Sequence, residues 1–421
     1  MRHLYTLMWC LALPLVLGRL WWRGFKEPGY RQHWGERLGM YGKKRAPAPL
    51  TLWVHAVSVG ETRAAEPLVD ALMQAYPNCR IVLTHMTPTG RATGQALFAK
   101  HGERLLQSYL PYDIPFLIQR FIGHFAPRIC ILMETEVWPN LIAVCGSQVP
   151  VALVNARLSA RSLRRGQRFG ALMTDAARAL ALVAAQTDAD AERVRSLGAP
   201  QVAVTGSIKF DVVVPPAALA TGAWLRERIG ARQVLLCAST REGEEALILD
   251  AWKSAALPGN PLLLLVPRHP QRFDEVAAMA STRGLSLQRR SALGDTAVVS
   301  RVLLGDSMGE MFAYYASCEL AFIGGSLLPL GGQNLIEACA LGKPVLTGPH
   351  TFNFALVSEE AIAAGGAICV ANAIEMVAKA GELFGNDDTR TRMGEAALAF
   401  ANHHRGATAR TVGLLRHMID K

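Results

Sequence analysis

Past residue 50 the chain alternates short apolar runs with longer helical stretches, and it does so in two sets. The first set of strand-like runs is 51–57, 80–86, 105–111, 129–133, 151–155, 181–186 and 202–206, with helical stretches such as 61–75, 88–101 and 160–180 between them. The second set begins near residue 234 with VLLCAS and continues through 262–268, LSLQRR, 301–307, 320–326, 344–349 and 368–371. Within each run the apolar residues are continuous rather than alternating. That is the pattern of a parallel strand covered on both faces. Strand-helix alternation in both halves predicts two α/β domains, and 421 residues suit two domains better than one. The expected division is 1–45 as an anchor and basic segment, 46–206 as the first domain, 207–232 as a linker carrying Pro215-Pro216, and 233–421 as the second domain with terminal helices.

Charge and hydropathy single out the N-terminus. Of the formal net charge of +10, residues 19–45 contribute +6, from Arg19, Arg23, Lys26, Arg31, Arg37, Lys43, Lys44 and Arg45 against Glu27 and Glu36. Leu4 to Leu17 carries no charge, and Leu20, Trp21 and Trp22 extend its apolar character. Fourteen residues fall short of the ~20 that span a bilayer. The segment reads as an uncleaved anchor, spanning or lying in the interface, with the basic side and the rest of the chain cytoplasmic. Anionic lipids are the expected contact of the basic cluster, at ~1 kcal/mol per side chain near the surface. Nucleic acid would answer the same charge, but no nucleic-acid motif accompanies it. The eight cysteines are scattered without a CxxC pair, which argues against a metal cluster or a disulfide framework.

Chemistry is expected in the turns that follow strands, where open α/β sheets hold their ligands. Glu61 follows the run 51–57 and opens a helix, where the helix dipole favours an ionised carboxylate, the state a general base needs. It equally serves as a simple helix-start acid. Glu134 and Glu136 end the run 129–133 ahead of Trp138-Pro139, as a lined pocket or as an acid pair capping the next helix. Lys209 lies where the chain leaves the first domain, to charge a ligand site or to pair with Asp211.

In the second half, Asp306 to Glu310 leads from a strand into a helix whose free N–H groups suit a phosphate. A plain helix cap at Asp306 or Ser307 uses the same start. Gly324-Gly325-Ser326 and Gly331-Gly332 let backbone approach a ligand closely, ahead of Asn334 and Glu337. Glu337, one turn inside a helix, suits a ribose diol or plain solvent. Pro267-Arg268-His269-Pro270 ends the run 262–268, a place for an arginine on phosphate or for a surface turn. His269, His403 and His404 read as bystanders.

Together these strings resemble the 3-deoxy-D-manno-octulosonic acid (Kdo) transferases of lipopolysaccharide assembly. The matching segments include SVGETRAAEPLV (58–69), ILMETEVWPNLI (131–142), TGSIKFD (205–211), LVPRHPQRF (265–273), GDSMGEM (305–311) and GGQNLIEA (331–338), and RLWWRGFKEPGYRQHWGERLG (19–39) is similar to the segment after the family's anchor. The resemblance implies an α/β GT-B glycosyltransferase: two Rossmann-like domains facing a cleft, with an N-terminal membrane-anchor helix. It implies inverting transfer of Kdo from CMP-Kdo to lipid IV-A, with no cofactor and no metal, at the cytoplasmic face of the cell inner membrane. By matched motif, Glu61 is the catalytic base, and Glu134 and Lys209 stabilise the transition state. Pro267, Arg268, Met308, Gly309, Glu310, Asn334, Leu335, Ile336 and Glu337 match the CMP-binding segments, with Leu335 where many relatives carry proline. Arg31 and Arg37 are expected to attract the phosphates of the lipid acceptor. The rivals are a sugar-nucleotide epimerase of the same fold and a non-catalytic membrane-bound nucleotide-sugar sensor. Neither of them needs Glu61 together with a lipid anchor.

Overall fold

The computed structural model describes residues 1–43, 48–146, 148–168 and 170–420. Lys44 and Arg45 of the basic cluster, and the expected boundary after residue 45, lie outside the described residues. The chain forms two compact units, Met1–Asp211 with Arg405–Lys421, and Val212–His404.

The first unit is built on a parallel sheet of β1 (Leu50–His55), β2 (Cys79–His85), β3 (Leu105–Tyr109), β4 (Ile129–Met133), β5 (Val151–Ala156), β6 (Leu182–Ala185) and β7 (Val202–Val204), in the order β3-β2-β1-β4-β5-β6-β7. Alternate residues of its strands feed opposite cores. Leu52, Val54, Ile129 and Ile131 pack on one face; Trp53, Cys130 and Leu132 pack on the other with Phe121. Both faces are dry, which is why the runs read as continuously apolar.

The second unit repeats the architecture. Its strands are β8 (Val234–Thr240), β9 (Leu262–Pro267), β10 (Leu287–Arg289), β11 (Val302–Leu304), β12 (Leu320–Ile323), β13 (Val345–Thr347) and β14 (Ala367–Cys369), in the order β10-β11-β9-β8-β12-β13-β14. Trp252, wholly buried, anchors a core with Leu263, Leu265 and Phe322. Chain order reverses between β1 and β4 in the first sheet and between β8 and β12 in the second. These are the switch points at which such sheets bind ligands.

Three expectations are revised. The helical stretch 61–75 is two helices, Val59–Ala64 and Glu66–Ala75. Pro67 has no N–H to continue the first and clashes with the carbonyl four residues back. The last helix, Ala407–Ile419, belongs to the first unit and not to the second. Its Leu415 and Ile419 join the core of Leu68 and Leu72, Asp211 accepts the N–H of Gly406 at 2.6 Å, and Arg410 donates to the Thr205 carbonyl at 2.9 Å. The stretch 207–232 is no free linker: Ile208–Phe210 is a 3₁₀ turn of the first unit, and Pro216–Ile229 is a helix of the second.

The N-terminal segment is one helix, α1 (Arg2–Arg23), long and apolar enough to cross a membrane by length and composition. Arg37 does not face solvent. It is 2 % exposed, its guanidinium lies 3.8 Å over the Tyr109 ring, and it donates to the Met86 carbonyl at 2.9 Å. It is a core cation, so the expectation that it attracts acceptor phosphates fails.

Candidate active site

In the first unit the turns after β1 and β4 carry three carboxylates to the switch point. Glu61 sits in the first turn of Val59–Ala64 and accepts the N–H of Val57 at 2.7 Å. Burial lifts its pKa from the ordinary 4.5 to about 8. Nearby Glu136 and Glu134 add to the rise, while the Val57 N–H and Lys209 hold it back. The expectation that a helix start keeps this group ionised is outweighed. A helix terminus is worth ~0.3–1 kcal/mol, less than one pKa unit, and Glu61 is half-buried among like charges.

Glu134 has φ +54, a conformation rare for a non-glycine residue and costing ~1–3 kcal/mol. Its N–H donates to Val154 O at 3.0 Å, and its own carbonyl accepts from Arg157 at 3.3 Å, so backbone bonds on both sides hold it there. Its carboxylate meets Lys209 Nζ at 2.7 Å. Lys209 therefore pairs with Glu134. Asp211 instead caps the last helix. Glu136 accepts from Trp138 Nε1 at 3.0 Å, and burial raises its pKa, with Glu134 adding to the rise.

Two polar residues of this site were not singled out in the sequence. Asn155, also at positive φ (+52), donates to Glu134 Oε1 at 3.4 Å and accepts the N–H of Ile208 at 3.1 Å, so it ties the β5 end to the turn that carries Lys209. His55 is wholly buried, bonds Thr84 through Nδ1, and has Nε2 4.0 Å from Glu136. Burial drives its pKa down to about 3, so it is neutral. The signal for both was a polar side chain inside an otherwise apolar strand, where it must find partners.

In the second unit, sheet order places the turns after β11, β9, β8 and β12 side by side. They carry Asp306 to Glu310, Arg268, Arg241 to Glu244, and Gly324 to Leu327. Pro267 ends β9, and the Arg268 N–H donates to Thr240 O at 2.9 Å. Met308 is exposed, and Gly309 has φ +82. Glu310 pairs with Arg290 at 2.8 Å and accepts from Ser307, so its own carboxylate is already engaged. Ahead of the short helix Ile336–Ala340, Asn334 accepts the Ile336 N–H at 3.0 Å and donates to Glu337 at 3.3 Å. Leu335 and Ile336 point into the core, so only their backbone is available to a ligand. Gly331, at φ +95, lies where a Cβ would come within 2.2 Å of Asn353. His404 meets Glu360 at 3.7 Å, remote in sequence from these turns.

The organising residue here is Glu244, which the sequence reading passed over. It is wholly buried and accepts the N–H groups of Arg241 at 2.9 Å, Gly325 at 2.5 Å and Leu327 at 2.9 Å. It thereby fastens the β8 turn to the glycine-rich β12 turn. The signal was the one that marked Glu61: an acid opening a helix after the first strand of its unit.

Comparison with known proteins adds family evidence. A family described as "3-Deoxy-D-manno-octulosonic-acid transferase (kdotransferase)" matches residues 32–212. The 3-deoxy-D-manno-octulosonic acid transferase of Bordetella pertussis is 47% identical over 427 residues, covering 98% of both chains. That of Haemophilus influenzae is 38% identical over 434 residues, covering 100% of this chain and 99% of its own. The crystal structure of a glycosyltransferase from Rickettsia africae superposes with a TM-score of 0.59 at 12% identity, over 88% of this chain and 98% of that one, which places the fold in the GT-B class.

Proposed function

This chain belongs to the 3-deoxy-D-manno-octulosonic-acid transferase family, and we propose that it moves Kdo from CMP-Kdo to lipid IV-A with inversion, without a metal. The chemistry asks for a base, a means of tolerating positive character at the anomeric carbon, and a sink for phosphate charge. Glu61 takes the proton of the acceptor hydroxyl as that oxygen attacks the anomeric carbon. Base catalysis of this kind is worth ~10²–10⁴ in rate. The bond from the anomeric carbon to the phosphate oxygen breaks, its electron pair stays on CMP, and the configuration inverts because attack and departure occur on opposite faces. The Glu134–Lys209 pair supplies fixed charges beside Glu61 as the sugar becomes oxocarbenium-like. Fixed charges need no rearrangement at the moment of reaction.

On the second unit, Arg268 and the backbone of Met308, Gly309 and Glu310 are the proposed phosphate contacts. Asn334 and Glu337, with the backbone of Leu335 and Ile336, are the proposed nucleoside contacts. We assign the chain to the cytoplasmic face of the inner membrane, held by α1 and by basic residues that meet anionic lipid. Arg19, Arg23 and Lys26 are exposed for that role.

One observation carries the reading: Glu61 stands at the β1/β4 switch point with its pKa raised to about 8, beside the Glu134–Lys209 pair. The test is mass spectrometry of lipid IV-A incubated with the purified chain and CMP-Kdo. Acceptor carrying one or more Kdo residues, with CMP released, is the expected result and counts the additions. Unmodified acceptor overturns the proposed substrate pair.

A further inference from the structure

By length α1 could cross a bilayer, yet its covered side says otherwise. The partly covered positions are 5, 6, 9, 12, 13, 16, 17 and 20. Steps of three and four describe one side of a helix, here from its second turn to its last. That side has partners near the N-terminal end. Tyr5 lies beside the Asp113 carboxylate, Thr6 Oγ1 donates to Asn140 Oδ1 at 3.1 Å, and the Trp9 and Tyr112 rings are 5.7 Å apart. All belong to the first unit. A spanning helix with its arginine-rich end at the domain would carry Thr6 about 20 Å farther along the axis than Leu20. It would then stand in or beyond the lipid, out of reach of Asn140.

The other side is apolar and uncovered. Leu4, Leu7, Met8, Leu11, Leu15 and Trp22 are between 54% and 78% exposed. Exposed arginines at 19 and 23 follow, and the Arg31 guanidinium lies 3.9 Å over the Phe25 ring. An apolar stripe ending in tryptophan and cations matches the layered chemistry of an anionic bilayer surface, hydrocarbon below and phosphate above.

We infer that α1 lies flat in the surface layer of an anionic membrane, one long side seated on the first unit and the opposite side in lipid, and does not cross it. The inference rests on the membrane assignment proposed above and fixes its geometry. Met1 and the body of the chain then share one side of the membrane.

The test uses the full chain with a protease-removable N-terminal tag, expressed in a Gram-negative host. Protease is added to intact spheroplasts and to inverted inner-membrane vesicles. Tag loss only in inverted vesicles is the expected result. Tag loss in spheroplasts overturns the flat geometry while leaving membrane attachment intact. Recovery of the chain in the soluble fraction overturns both, and a soluble dimer would assign the apolar side to a second copy. Leu11→Glu, on the uncovered side, should raise the soluble fraction about tenfold or more; an unchanged fraction removes this side as the lipid contact.

Discussion

Glu61 and Glu244 occupy equivalent places in the two units, and the molecule uses them in opposite ways. Each opens a helix after the first strand of its sheet, beside the strand at which chain order reverses. Glu244 is sealed from solvent and answered by three backbone N–H groups. Glu61 has the N–H of Val57, two neighbouring glutamates and the partial relief of Lys209. A saturated carboxylate holds backbone in place. An undersatisfied one has a proton to exchange. Position in the fold marks where chemistry can occur, and the count of hydrogen-bond donors separates scaffold from reactive group.

The strongest way to break this contrast is to swap each acid for a neutral residue. Glu61→Gln keeps the acceptor oxygen for Val57 and loses the proposed base. Turnover with CMP-Kdo and lipid IV-A should fall ~10²–10⁴-fold while the thermal melt at neutral pH is kept or raised by roughly 2–5 °C. Near-wild-type turnover would remove Glu61 from the reaction. Glu244→Ala should do the reverse, acting first on stability. Three amides lose their acceptor at ~1–3 kcal/mol each, so calorimetry should show melting of the second unit lowered by at least roughly 6–12 °C, the shift for the lower end of that range. A melt within a degree of wild type would mean these amides find other partners, and Glu244 would not be the fastening proposed.

How far the sequence showed this in advance depends on the kind of force involved. All fourteen strand-like runs correspond to strands, because burial on both faces leaves a continuous apolar trace. Their ends were read too long: 305–307 and 324–326 are turns, since apolarity does not report where ladder bonding stops. Glu61 and Glu134 are brought together as strand-end reasoning anticipates, and Lys209, at the exit from the first domain, joins them through Glu134 rather than Asp211. The left-handed Glu134 and the hidden roles of Asn155, His55 and Glu244 depend on partners distant in the chain. Arg37 shows the limit most clearly. Its charge reads as surface, and partners far along the sequence, the Tyr109 ring and the Met86 carbonyl, make it core. The return of the last helix to the first unit is likewise a tertiary choice, made by Leu415 and Ile419.

Lys209 sharpens the contrast from the other side, because it is the cation that keeps Glu61 from rising further. The pH profile of kcat/KM, which reports the free enzyme, should have its midpoint near 8 in the wild type if Glu61 is the base, and Lys209→Met should move it upward. Activity should increase with pH through that midpoint, since the base acts ionised. A midpoint unchanged by Lys209→Met would separate this lysine from Glu61 and leave it only as the partner of Glu134.

The smallest expected effect is on stability, and its sign follows from the same carboxyl. Glu61 holds its proton more tightly in the folded chain, with a pKa of about 8, than in the unfolded chain, near the ordinary 4.5. Between those values the native state carries more protons, so this group lowers stability as pH rises. Below 4.5 both states are protonated and the contribution vanishes; above about 8 both are ionised and it is complete. Glu61→Gln has no such proton. Its stability relative to wild type should be flat near pH 4, climb across the window, and level off above about 8 at ~1–2 kcal/mol after solvent screening. Urea midpoints at pH 4, 6.5 and 9 measure this directly. A difference independent of pH would mean that Glu61 ionises like an ordinary surface acid, and the distinction from Glu244 would then rest on burial alone.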